Sequence, residues 1–80
     1  MIVYRFNVAD ALERKGFNVY KAKTTKLLSQ DTLKKIKNED TNITLKSLNV
    51  ICSLLDMQPK DIIEYKDTDA DREERKKHNF

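Results

Sequence analysis

Four residues able to cap a helix, Asn7, Asn18, Ser29 and Thr44, each stand just ahead of a stretch in which apolar side chains recur every three or four positions. A capping side chain accepts hydrogen bonds from the free N–H groups of a first turn, so it marks where a helix starts. Caps this close together leave room only for short helices, and short helices are held by their neighbours rather than by themselves. A small helical bundle follows. Eighty residues supply one domain with one modest core.

Asn7, answered by Asp10, opens a helix over 8–15, with Val8, Ala11, Leu12 and Lys15 on one face. Gly16, the single glycine, stands where a left-handed residue ends a helix, and Phe17 is the apolar residue after it. Asn18 caps a second helix, 19–26, with Val19, Tyr20 and Ala22 as inward candidates and Lys21, Lys23 and Lys26 outside. Leu27 and Leu28 form a short connection. Ser29 caps a third helix, 30–37, anchored by Leu28, Leu33 and Ile36, while Gln30, Asp31, Lys34, Lys35 and Lys37 project elsewhere. A polar loop, 38–42, precedes Thr44 and the most apolar helix, 45–55. There Leu45, Leu48, Ile51, Cys52 and Leu55 make a stripe widened by Val50 and Leu54. Cys52 is expected as a small buried hydrophobe. Pro59 starts a last short helix running to Glu64, with Ile62 and Ile63 closing the core.

Residues 2–6 read as a strand or extended arm. This arm (Ile2-Val3-Tyr4) and the segment holding Ile62, Ile63 and Tyr65 either form two dimer surfaces or pair within one chain, and the intrachain pairing is the reading adopted. The domain is expected to span 1–66. In the remaining segment, 67–80, only Ala70 and Phe80 are apolar, so it is expected to be a disordered, charged tail, its acid-then-base order suiting a transient helix.

Charge placement narrows the function. Arg14, Lys15, Lys21, Lys23, Lys26, Lys34, Lys35 and Lys37 are opposed only by Asp31 between residues 14 and 37, a net +7, which leaves −4 for the rest of a +3 chain. A basic segment on an acidic body suits a polyanion. An enzyme is not expected: His78 is the only histidine, and no glycine-rich phosphate loop, metal-ligand cluster or paired nucleophile and base is present. No metal or cofactor is implied. No apolar run nears the roughly 20 residues of a membrane span, and the opening Met1–Phe6 is too quickly charged for a signal peptide. A single cysteine, Cys52, suits a reducing compartment. The expected location is cytoplasmic.

The order of these pieces resembles small single-domain members of the Cro/XRE-type helix-turn-helix family. The resemblance rests on Ile2 and Tyr4, on Tyr20-Lys21, on Ser29 through Ile36, and on Asp61-Ile62-Ile63-Glu64-Tyr65 after Leu55. It implies an all-α, five-helix, lambda-repressor-like domain, with a possible short N-terminal strand. It further implies a sequence-specific DNA-binding regulator, commonly a repressor. In a helix-turn-helix the N-terminal part of the second helix meets base edges in the major groove. Ser29, Gln30, Asp31, Thr32, Lys34 and Lys35 are then the expected base contacts, with Gln30 matching adenine and Asp31 cytosine N4. Asn18, Tyr20, Lys21, Lys37, Asn38 and Lys46 are the expected phosphate contacts. Double-stranded DNA is the expected partner, bound by a homodimer on half-sites about 34 Å apart.

Two positions depart from the family pattern. Its small residue in the middle of helix two falls on Lys23, and its turn glycine falls on Leu27. These departures motivate an alternative function, a protein-interaction module of the antitoxin or anti-repressor kind on the same fold. RNA binding is disfavoured because the basic segment lacks stacking aromatics.

Overall fold

A computed structural model describes all 80 residues. Strand β1 (Ile2–Tyr4) leads into helices α1 (Val8–Arg14), α2 (Val19–Thr25), α3 (Gln30–Lys37), α4 (Leu45–Leu55) and α5 (Pro59–Ile62). Strand β2 (Ile63–Tyr65) and helix α6 (Asp69–Lys77) complete the chain. The helical helix-turn-helix architecture with a short N-terminal strand is therefore present, with a two-stranded sheet and one more helix than the five expected.

The four caps act as their residue types dictate. The Asn7, Asn18, Ser29 and Thr44 side chains accept from the backbone N–H of Asp10, Lys21, Thr32 and Ser47 at 2.9–3.0 Å. At the other end of α1, Gly16 takes φ +87°. The Phe17 N–H reaches back to the Leu12 carbonyl at 2.9 Å, which turns the Phe17 ring into the core.

Ten residues are buried, all apolar: Val8, Leu12, Phe17, Ala22, Leu28, Leu33, Ile36, Leu48, Ile51 and Ile62. They draw on every helix from α1 to α5, so none of these short helices has a core of its own. Cys52 is half-buried against this cluster. The helical periodicity erred at the edges of faces. Lys15, Val19 and Tyr20 are exposed rather than inward. Leu45, read as the first residue of the α4 stripe, is 84% exposed, because it lies on the first turn beyond the reach of the facing helices. The last helix stops at Ile62, where the backbone turns extended; Ile63 and Glu64 belong to a strand.

That strand pairs within the chain, as expected. β1 and β2 run antiparallel with Ile2 opposite Tyr65, Val3 opposite Glu64 and Tyr4 opposite Ile63. The Tyr4 hydroxyl donates to the Asp40 carbonyl at 2.9 Å, tying the sheet to the loop after α3. Burial, with Asp40 nearby, raises the Tyr4 pKa.

The segment expected to lack structure is helical. Thr68 caps α6, accepting from the Asp71 N–H, and no residue of the helix is buried. Polar contacts hold it instead. Asp67 accepts two hydrogen bonds from the Arg75 guanidinium, at 2.9 and 3.1 Å, and one from the Tyr65 hydroxyl. The Asp71 carboxylate meets the Met1 ammonium. The Arg75 bonds hold the Asp67 carboxyl down from the ordinary 3.8 to about 2. A depressed carboxylate pKa contributes stability that is complete above the ordinary value and is lost as pH falls through the depressed one. Acidification from about pH 4 to pH 2 should therefore release α6. Asp67→Asn should do so at neutral pH: amide exchange in α6 should quicken while that of α1, α3 and α4 stays slow. Unchanged α6 protection in Asp67→Asn would show that the helix is held by something else.

Candidate nucleic-acid interface

The site begins with the turn between α2 and α3. Lys26, not Leu27, takes the left-handed conformation, at φ 57°. Its N–H closes α2 on the Ala22 carbonyl at 2.9 Å. The small residue at the helix crossing is Ala22, 2% exposed, and Lys23 points to solvent. The sequence frame was one residue late at both places. α2 and α3 pack on each other, with Ala22 rather than Lys23 buried at this point of α2. The two departures that motivated a protein-interaction module are thereby removed from the crossing.

α3 hangs on Leu28, Leu33 and Ile36, at 2%, 5% and 3% exposure. Its opposite side carries the expected base contacts. The Gln30 and Lys34 side chains are exposed and form no hydrogen bond or ion pair within the chain. Ser29 and Thr32 are engaged with each other: the Ser29 hydroxyl donates to Thr32 Oγ1 at 2.9 Å, besides capping the Thr32 N–H. Asp31 and Lys35 form an ion pair one turn apart, 3.6 Å between Nζ and Oδ2. Lys35 Nζ also donates to the Asn42 carbonyl at 3.4 Å, so this lysine turns toward the following loop.

Three of the expected phosphate contacts are brought together. Asn18, Tyr20 and Lys37 line one cleft of about 310 Å³ between α1, the start of α2 and the end of α3, with Leu33 at its floor. Glu13 lies in the same cleft and opposes an anion there. Asn18 already serves as the α2 cap. Lys21, Asn38 and Lys46 are exposed and outside this cleft. Lys23 and Lys26 were not among the expected contacts. Both line a groove beside Ser29 and Gln30, at the opposite rim of the α3 N-terminus. Their basic character was the available signal, and the misplaced frame hid it.

A buried two-helix crossing, an exposed polar recognition face and unpaired lysines at both rims define a helix-turn-helix DNA-binding domain. A family model described as the Cro/C1-type HTH DNA-binding domain matches residues 8–68. The chain belongs to that family. No curated protein and no solved structure gives a significant match. The family match ends before α6. No group of histidines, cysteines and acids is placed to hold a metal ion, and no helix is long and apolar enough to cross a membrane.

Proposed function

We propose that the protein is a sequence-specific transcriptional regulator, a repressor that reads the major groove with α3. The observation that carries the reading is the state of Gln30 and Lys34. Both are exposed on the side of α3 away from Leu33 and Ile36, and neither has a partner within the chain. Gln30 pairs with adenine, and Lys34 with guanine or a phosphate. Ser29, Asp31 and Thr32 complete the base-facing set, with Lys35 paired to Asp31 beside them. Asn18, Tyr20, Lys21, Lys37, Asn38 and Lys46 hold the backbone, joined by Lys23 and Lys26. Contact with about four to six phosphates per subunit gives a salt slope of about −4 to −5 in log K against log salt. Repression then needs no chemistry: a domain seated on an operator occludes it, and the expected place of action is the nucleoid.

Two copies on neighbouring half-sites extend the few base pairs one domain can read. An exposed leucine beside an apolar recess supports one such arrangement. Leu45 stands at the rim of an apolar recess lined by Ile2, Tyr4, Ile43, Leu48 and Ile63. A two-fold axis seats each copy's Leu45 in the other's recess, as an isologous interface requires.

Selection of bound duplexes from random DNA tests the reading, and a palindromic motif is the expected product. On the selected duplex, Gln30→Ala should relax preference at one base pair, with a loss of about 1–3 kcal/mol against the best sequence. Lys37→Ala should weaken all sequences alike and reduce the salt slope by about 0.9. A uniform loss from Gln30→Ala would overturn its assignment as a base reader, and no selected motif at all would overturn sequence-specific binding.

A further inference from the structure

We propose that Lys35 does not read DNA but is a positioning residue, and that Asp31, held by it, reads a base pair through an exocyclic amino group. The inference rests on the DNA-binding reading above and assigns one of its acids a defined partner.

Asp31 is the only acid in the basic window, and its side chain is 78% exposed on the first turn of α3. The dipole at the helix start favours an anion there. DNA phosphates repel one. A lone carboxylate on a DNA-facing helix would therefore oppose binding to every sequence. Lys35 removes that opposition. Its ammonium stands 3.6 Å from Asp31 Oδ2. The Asn42 carbonyl accepts from the same ammonium at 3.4 Å. Lys34 and Lys37, its neighbours on α3, are exposed and have no such partners, whereas Lys35 is half-buried. To reach guanine or a phosphate, Lys35 would have to leave both contacts and free the carboxylate at the same moment.

With Oδ2 engaged, Oδ1 has no partner within the chain and can only accept. In the major groove the matching donors are the amino groups of cytosine N4 and adenine N6; guanine O6 and thymine O4 present acceptors and are rejected. The pair Asp31–Lys35 thus reads one base pair as a unit, close to charge neutrality. The loop after α3 takes part through the Asn42 carbonyl, at a distance from the bases.

A double-mutant cycle on the duplex selected above tests this, with every base-pair variant at the affected position. Lys35→Met should cost about tenfold in affinity when Asp31 is present, as removal of one partner from a close charge pair does. In the Asp31→Asn background the same change should cost no more than about twofold, as expected of an exposed side chain with no ion partner. Lys35→Arg should restore affinity to within about twofold, since it keeps the charge. Lys35→Met and Asp31→Asn should alter preference at the same base pair, and Asp31→Asn should shift it toward adenine. Equal costs in both backgrounds, or altered preference at two different base pairs, would overturn the positioning role. If wild-type protein binds no duplex, the DNA-binding reading itself fails, which is a separate result. Thermal melting of each variant identifies any loss of fold, and an exposed pair of this kind should move it little.

Discussion

Ala22→Leu should abolish specific DNA binding while the protein remains largely folded. Ala22 is 2% exposed on α2, the helix that packs chiefly on α3. Three further heavy atoms must be accommodated at this buried position, and overpacking of this kind costs about 1–3 kcal/mol of stability. The strain has one easy outlet. α3 is packed against α1 as well as α2, whereas α2 packs chiefly on α3 alone. α2 should therefore shift relative to α3, so that the two helices no longer meet the duplex together. Loss of two base contacts worth about 1–3 kcal/mol each lowers affinity for the selected duplex by a factor on the order of 100 or more. Non-specific binding, which depends on lysines rather than on register, should persist. Lys23→Ala is the control: the side chain is exposed, so the melting temperature should hold and the salt slope should drop by about 0.9. If Lys23→Ala disturbs the fold more than Ala22→Leu, the crossing has been misassigned.

The same pair of residues shows what could be read from the sequence. Helix starts were legible because capping is local: an Asn or Ser side chain reaches an N–H only three residues ahead. The α3 face was legible for a related reason, since Leu33 and Ile36 lie one turn apart and nothing else on that helix is apolar. The crossing was not. Neighbouring residues on a helix differ by about 100° in direction, so an error of one residue exchanges a buried alanine for an exposed lysine. Only Lys26, left-handed at φ 57°, settles the frame.

Long-range polar contacts were equally hidden. Arg75 lies eight residues from Asp67, and Asp71 meets the Met1 ammonium across nearly the whole chain. No periodicity signals either contact, so a charged segment with little apolar content reads as tail. Lys35 belongs to the same class. Its pairing with Asp31 is a local helical relation, but its bond to the Asn42 carbonyl exists only because the loop doubles back beside α3.

Leu45→Glu should convert a dimer into a monomer without harm to the fold. Leu45 is 84% exposed in the single chain, so replacing it removes almost no internal packing. It is also the first residue of α4, where a carboxylate complements the helix dipole. Monomer melting should therefore hold or rise slightly. In the proposed two-fold interface each substitution counts twice. Burial of one leucine contributes about 1.5–3 kcal/mol, so the two together contribute on the order of 3–6 kcal/mol. A factor on the order of 100 or more in the dimerisation constant is lost, before the penalty of placing a carboxylate in a recess lined by Ile2, Tyr4, Ile43, Leu48 and Ile63. Sedimentation at micromolar concentration should report dimer for the wild type and monomer for the variant. On a palindromic operator the variant should lose cooperative occupancy, yet its affinity for an isolated half-site should match the wild type, because Leu45 lies outside α3. A wild type that sediments as a monomer and binds both half-sites independently would remove the interface. A variant that stays dimeric would place the interface elsewhere. Equal loss on half-site and full operator would mean that Leu45 supports α3 instead, which its exposure argues against.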